Sequence, residues 1–301
     1  MPYTFDVIIP TYNNLSDLKQ CLEGFSGQSF KDFRVIVCVD GSTDGTNEYL
    51  TSSKYNFEIL KLNHPGNENK GRDETRNLAL STINSKFLML IDSDIFPSND
   101  LLLNHYELLK NKCCVSVGEV FYEDQLNNVW SYYIQTRGKR KYKNFDEIPS
   151  YYLNTQNVAF QSQFFLELGG QDSDLSKSYG GDDIVLGHRI EKKYGIPTIF
   201  NKKAVGLAKS EKSLDFALNQ MHEFGRNNLK IIKRKYPDLN KIFNLNLMDS
   251  DIFYHRLFRI FLRTSISNIL KKFINISPSP IKLYIIQFLV FNSIYQGYKS
   301  T

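Results

Sequence analysis

Asp92-Ser93-Asp94 sets two carboxylates one residue apart at the end of an unbroken apolar run, Phe87-Leu88-Met89-Leu90-Ile91. Alternation along an extended chain turns Asp92 and Asp94 to the same side. Converging carboxylates repel unless a cation or a bound hydroxyl separates them, so the pair suits a hard divalent ion. The same residues also fit a helix start, because Pro97, Ser98, Asn99 and Asp100 follow. A second acidic pair, Asp182-Asp183, comes after Gly180-Gly181 and opens a helical stretch running to Lys193. Acids there can cap the helix, while two glycines before them suit close approach of a ligand to the backbone. Asp40 starts a turn-rich segment, Asp40-Gly41-Ser42-Thr43-Asp44-Gly45.

The elements that would position these acids alternate in type. Residues 5–9, 33–39, 57–62 and 87–91 read as strands, the second apolar but for Arg34 and the fourth apolar throughout, as parallel strands buried on both faces require. Helices are expected from Ser16 to Phe25 with Ser16 as N-cap, over 47–50, and over 71–83 with Leu78 and Leu80 inward. The order implies a doubly wound, mostly parallel α/β sheet. In such sheets ligands bind beyond the carboxyl ends of the strands, where Asp40 and Asp92 would sit. Residues 114–118 add a strand. Residues 122–150 are polar and aromatic, hold the only tryptophan, Trp130, and include the basic run Arg137-Gly138-Lys139-Arg140-Lys141, read as a solvated loop. Leu214 to Arg234 reads as one helix.

Hydrophobic residues at 42% and charged residues at 23% describe an ordinary globular chain with a sizeable core. A formal charge of +5 gives no argument for a nucleic-acid partner. The four cysteines, Cys21, Cys38, Cys113 and Cys114, form no CxxC pair, against structural zinc or a disulfide framework. The N-terminus runs straight into a strand with no signal-peptide pattern, and no stretch of about 18 apolar residues would span a bilayer. The expected setting is cytoplasmic, with the inner face of the cell membrane as an alternative place.

Several separated pieces then resemble the family 2 glycosyltransferases of GT-A fold. They are Val7 to Asn13; Asp40 to Asp44; Gly71 with Arg76-Asn77; Asp92-Ser93-Asp94; Asn157-Val158-Ala159; Gly169-Gly170; and Gly180-Gly181-Asp182-Asp183 with Leu186-Gly187 and Arg189. Each is weak alone, but seven in order over roughly residues 5–200 is a strong signal. The Gly-Gly-acid-Asp block looks most like the members that make galactose- and chondroitin-type linkages. The resemblance implies that Pro10, Thr11, Tyr12, Asp40, Gly71, Arg76, Asp92 and Ser93 bind the nucleotide sugar. It implies that Asp94 and Asp92 hold Mn2+ or Mg2+, that Asp183 is the general base with Asp182 beside it, and that Asn157 sits near the acceptor. Trp130 is a further candidate acceptor contact.

The sequence departs from that pattern in places. Val39 stands where many relatives carry a first acid before Asp40, and Asp182 stands where many carry Glu. Some relatives supply a metal-binding histidine after a strand like 203–208; here Leu207-Ala208-Lys209 follows, and His222 is the nearest histidine. Lys209 could contact the diphosphate instead. The expected activity is metal-dependent, inverting transfer of a hexosyl or N-acetylhexosaminyl group from a nucleotide sugar, UDP-linked, to a saccharide or lipid-linked acceptor in bacterial surface glycan synthesis. A nucleotidyltransferase is one alternative, but Pro10–Asn14 lacks the glycine and lysine of its phosphate loop. A non-catalytic partner protein of the same fold is another, which the intact acids oppose. Residues 1–240 would form the transferase domain, with a donor half near 1–115 and an acceptor half near 116–240. Residues 241–301 would form a helical extension. Apolar and basic residues at helical spacing in 250–274, then Ile281 to Tyr295, fit either packing on the core or another subunit, or a membrane surface.

Overall fold

The apolar runs fold as their lack of alternation demands. In the computed structural model, which describes residues 3–123, 128–136, 138–209 and 212–300, strands β1 (Phe5–Thr11) and β2 (Phe33–Val39) are buried along their whole length. Helix α1 (Leu15–Ser26) lies between them, and α2 (Thr46–Ser52) leads to β3 (Glu58–Asn63). Helix α3 (Arg72–Asn77) and a tight turn precede β4 (Phe87–Ile91), whose five residues are all buried. Then come β5 (Ile95–Pro97), α4 (Leu101–Leu109), β6 (Val115–Tyr122), α5 (Val129–Thr136), β7 (Glu147–Ile148), β8 (Asn157–Gln161) and α6 (Ser162–Leu168). Helix α7 (Asp182–Tyr194) and β9 (Thr198–Ala208) complete the sheet.

The sheet order is β3-β2-β1-β4-β8-β6-β9-β5, with β7 on β9. Strands β3, β2, β1 and β4 are mutually parallel, as the alternation of elements requires. Strand β8 enters antiparallel between β4 and β6, so the second half is mixed. The core beneath the sheet gathers Ile8, Ile36, Leu88, Leu90, Phe160 and Phe200. Burial of each such side chain contributes roughly 1.5–3 kcal/mol.

Local chemistry moves several boundaries. Helix α1 begins at Leu15 rather than behind a Ser16 cap, because Asp44 Oδ2 accepts the Leu15 N–H at 2.8 Å. The helix expected over 71–83 stops at Asn77 and tightens to a 3-10 turn, Leu78–Ser81. Just beyond, Asp6 accepts the backbone N–H groups of Asn84 and Ser85, and Arg34 donates to the Thr82 carbonyl. Asp6 and Arg34 form a buried ion pair at 2.6 Å, and the chain turns around it instead of extending the helix. Cys21, Cys38 and Cys114 are buried thiols, and Cys113 is exposed.

The chain divides into two compact units: Met1–Gln125, Gln135–Lys177 and Asp182–Ser210 form the first, and Leu126–Ile134, Ser178–Gly181 and Glu211–Thr301 the second. The second is built from α8 (Leu214–Arg226), α9 (Asn228–Lys235), α10 (Leu245–Asp249), α11 (Phe253–Phe261), α12 (Thr264–Phe273) and α13 (Ser279–Lys299). Helices α8 and α13 touch backbone to backbone, which Gly225 and Gly297 permit by lacking a Cβ. The single helix expected over 214–234 breaks at Asn227. The Asn227 and Asn228 side chains donate to Ser178 and Gly180 there, at 2.9–3.1 Å. No helix among the described residues is long and apolar enough to cross a membrane.

Candidate active site

Parallel register brings the first group of residues together. Thr11 pairs with Val39, and Ile8 pairs with Leu90, so β1, β2 and β4 deliver Thr11, Asp40 and Asp92 to one edge. The Thr11 hydroxyl is buried there and has no hydrogen-bond partner among the described residues. The Tyr12 ring beside it in sequence is 52% exposed. Pro10 is different. It is buried inside β1 opposite Cys38, and a residue enclosed in the sheet offers a donor no surface, which corrects the expectation of a contact. Ser93 is buried too, and its Oγ accepts a long bond from Asn14 Nδ2 at 3.4 Å.

Asp40 is occupied by the neighbouring loop. Its Oδ1 accepts the Lys70 N–H at 2.7 Å and its Oδ2 the Gly71 N–H at 3.1 Å. His64 Nε2 lies 3.6 Å from Oδ1 and 3.0 Å from Thr75 Oγ1. Since the Thr75 hydroxyl donates to the Gly71 carbonyl, it accepts from His64, which assigns the proton to Nε2. Gly71 holds φ +87°, and a Cβ there would overlap the Ser176 carbonyl. Gly71 is therefore a packing glycine, and Asp40 anchors the turn ahead of α3.

Arg76 departs most from its expected role. It is wholly buried, so it does not reach out to a nucleotide. Its Nη2 donates to Asp92 Oδ1 at 2.5 Å, its Nη1 donates to Gln171 Oε1 at 3.2 Å, and Nη1 lies 3.8 Å from Asp73 Oδ1. A buried guanidinium needs such partners, because an uncompensated charge there costs several kcal/mol. Arg76 thus holds Asp92 in place.

The same cation links Asp92 to the second acidic pair. Asp182 and Asp183 begin α7, and Asp183 Oδ1 accepts from the Thr155 hydroxyl at 2.6 Å and from its N–H at 3.2 Å. Burial, then the charge of Asp182, push the Asp183 carboxyl up to about 6, against the opposing pull of Arg76 and the Thr155 hydroxyl. Asp73, on the first turn of α3, is raised as well, by burial and then by Asp182, with Arg76 and Arg72 opposing. Asp73 joins the site although the sequence reading passed over it. Its signal was an acid three residues before Arg76 on one helix face. Thr155 and Gln171 lay in loops with no periodicity to mark them.

The Gly180-Gly181 pair finds its close neighbours in the protein. A Cβ on Gly181 would meet Ile232 at 2.5 Å and Phe224 at 2.9 Å, so these glycines make room for α8 and α9 side chains and not for a ligand backbone contact.

Asp94 is not a helix cap, because β5 separates it from α4, whose N-cap is Asp100. Pairing of Ile95 with Ala208 sets Asp94 beside Lys209 across β5 and β9. Both line a cleft of about 200 Å³ with Asp17, Cys21 and Glu123. Lys209 donates to Gln20 Oε1 at 3.0 Å. Burial and the nearby Asp94 and Asp92 charges raise the Cys21 thiol, which stays protonated.

Two expected contacts fall away. Asn157 is buried and spent: its amide donates to the Glu119 and Ala204 carbonyls at 3.0 and 2.9 Å, and its Oδ1 lies 2.9 Å from His105 Nε2. Because that oxygen can only accept, His105 carries its proton on Nε2 and accepts from Ser116 Oγ at Nδ1. Burial pushes His105 down to about 4. Asn157 therefore fastens β8 to β6, β9 and α4, with nothing left for an acceptor. Trp130 is buried in the core of the second unit with Tyr133, Ala217 and Leu218, so it offers no open face to a saccharide. His222 is half-buried on α8 with Nδ1 3.7 Å from Glu223. His222 belongs to the second unit, and Asp92 and Asp94 to the first. Arg137 of the basic run lies outside the described residues.

The sequence profile of glycosyl transferase family 2 matches residues 6–167, more than half of the chain. GlyA, a glycosyltransferase of Streptococcus pneumoniae, is 26% identical over 130 residues, which are 42% of this chain and 18% of that protein. The poly(ribitol-phosphate) beta-N-acetylglucosaminyltransferase TarS of Staphylococcus aureus is 32% identical over 101 residues, 33% of this chain and 17% of TarS. The matched stretches thus span less than a fifth of these two relatives. Among solved structures, the mannosyltransferase PcManGT of Pyrobaculum calidifontis, in complex with GDP-Man and Mn2+, aligns with all of this chain and 89% of its own at TM-score 0.66 and 16% identity. TarS 1-349 in complex with UDP-GlcNAc aligns with all of this chain and 91% of its own at TM-score 0.59 and 16% identity. At that identity the likeness speaks for the fold, which is of GT-A type.

Proposed function

The chain belongs to glycosyl transferase family 2, and from that premise we propose that it transfers a sugar, with inversion, from a nucleoside diphosphate donor to a hydroxyl of a saccharide or lipid-linked acceptor. A growing bacterial surface glycan is the acceptor class this reading favours. The observation that carries it is Asp183, a carboxyl pushed up to about 6 at the start of α7 and joined through the charge of Arg76 to Asp92. A base with an affinity for protons near the working pH can take one from an attacking hydroxyl.

In the proposed step the acceptor oxygen bonds to the anomeric carbon as its proton passes to Asp183. The bond to the donor diphosphate breaks on the opposite face, which inverts the centre. Thr155 fixes the carboxylate by two hydrogen bonds, and Asp182 sustains its proton affinity. Arg76 keeps Asp92 oriented at the carboxyl edge. The exposed Tyr12 ring offers a face for the base, and the buried Thr11 hydroxyl offers a polar partner for the nucleoside.

Hard carboxylate oxygens at the end of β4 fit Mn2+ or Mg2+, which take few protein carboxylates alongside substrate phosphates. Asp94 and Asp92 would hold the ion, and Lys209 in the same cleft as Asp94 would face the diphosphate. When bound, such an ion offsets the charge that develops on the leaving group. A UDP-linked hexose or N-acetylhexosamine is the proposed donor, by likeness to TarS in complex with UDP-GlcNAc. PcManGT, in complex with GDP-Man, makes the base a point to test, by thermal shift with UDP- and GDP-sugars plus Mn2+. Asp183→Asn decides the chemistry: nucleotide binding should persist by calorimetry while transfer falls by about 10²–10⁴-fold. Transfer at the parent rate would remove Asp183 as the base.

A further inference from the structure

Helix α11 carries its apolar face outward. Phe253, Tyr254, Leu257, Ile260 and Phe261 are all exposed, Phe253 by 71% and Tyr254 by 76%. Their spacing puts them on one face of the helix. Phe258 turns the other way, onto Phe291, with ring centroids 6.1 Å apart. Arg259 also turns in, donating to the Leu247 and Ser250 carbonyls. The usual burial of an amphipathic helix is therefore inverted. Ile269 and Phe273 of α12, and Ile276 after it, add further exposed apolar surface.

The charge of this region has one sign. Residues 252–301 contain seven Lys and Arg and no Asp or Glu, and Arg256, Arg263 and Lys272 are exposed. A second copy laid on this face would bring the same positive charge against it. An anionic lipid surface supplies both the opposite charge and an apolar layer within reach of the rings. Since no described helix is long and apolar enough to cross, the contact would lie in the plane of the interface. We propose that α11 and α12 dock this protein on an anionic bilayer surface, with the α11 stripe at the headgroup–acyl boundary. The inference rests on the second unit alone and would hold for any chemistry at the sheet edge.

Vesicle flotation of the full chain tests it. With vesicles containing roughly one-third phosphatidylglycerol in phosphatidylcholine, the protein should float, and each exposed basic residue near the surface should contribute about fivefold in partition. Raising the salt, or using phosphatidylcholine alone, should lower binding at least tenfold. The variant carrying Phe253→Glu, Leu257→Glu and Phe261→Glu should lose flotation while keeping its circular dichroism and UDP binding, since these side chains are exposed. Arg256→Glu with Lys272→Glu should weaken binding to anionic vesicles only. Failure of the full chain to float on anionic vesicles overturns the proposal. So does undiminished binding by the triple variant, or a dimer in solution that the triple variant abolishes, which would make the face an interface between copies.

Discussion

Thr155→Val isolates the proton affinity of Asp183 without touching its carboxyl. The substitution removes a hydroxyl that donates to Asp183 Oδ1 at 2.6 Å and keeps the backbone N–H at 3.2 Å. A hydrogen bond to a charged group contributes about 1.5–3 kcal/mol. With one of two donors left, a loss of about 1 kcal/mol is the reasonable share, or roughly 0.7 of a pKa unit. The hydroxyl favours the ionised form, so its removal raises the carboxyl further from its present value of about 6. A base works only when deprotonated. In the parent, roughly nine-tenths of Asp183 is ionised at pH 7 and about one-tenth at pH 5. The parent kcat/KM should therefore fall about tenfold per unit below pH 6, and the variant should show the same limb displaced upward by roughly 0.7 unit. Initial transfer rates from about pH 5 to 8, with donor saturating, provide the profile. A rate loss with the limb unmoved would show that Thr155 only props the structure. A parent profile flat down to pH 5 would refute the raised base itself.

Asp183→Asn should also stabilise the fold near neutral pH. The folded-state carboxyl holds its proton more tightly than an unfolded one, so stability falls as pH rises between about 4 and 6, and the amide removes that loss; after allowance for partial exposure the gain is of order 1 kcal/mol in urea unfolding, and a destabilised variant contradicts the assignment. Arg76→Met should cost about 3–5 kcal/mol by leaving Asp73 and Asp92 uncompensated, and a neutral result would mean that water already reaches the site. Gly71→Ala should lower the melting temperature by several degrees, because φ is +87° and the new Cβ overlaps Ser176; an unchanged melting curve would show that the 173–176 turn moves freely. Asp94→Asn should weaken the Mn2+-dependent stabilisation by UDP in thermal shift, and an identical Mn2+ titration would place the ion elsewhere.

The parallel half of the sheet was legible in the sequence because β1, β2 and β4 are largely apolar and buried, and Phe87–Ile91 could hardly be read otherwise. Asp40, Asp92 and the Asp182-Asp183 pair were legible because each stands where an element begins or ends. What each residue touches was not legible. Arg76 reads the same in sequence whether it faces a nucleotide or a buried acid, and only the arrival of Asp92 and Gln171 makes it the latter. Asn157 sits in a motif that suggests an acceptor, yet its amide is consumed by two carbonyls and a histidine. Trp130 was a candidate acceptor contact, but apart from Tyr133 the residues of the core that buries it lie roughly 90–160 residues away in sequence. Gly180-Gly181 signalled close approach, but the neighbours are the Ile232 and Phe224 side chains and not the ligand that was expected.

Arg76 also bears on modularity. Its shell is drawn from Asp73, Asp92 and Gln171, and the stretch that matches the family profile ends at residue 167. A fragment cut at that point would contain the strand-end acids but not the glutamine that closes over the guanidinium, nor the carboxyls at the start of α7. The region that defines the family by sequence therefore holds Arg76 with Asp73 and Asp92 but not the whole of this buried network. Its electrostatic closure draws on a residue 95 positions further along the chain.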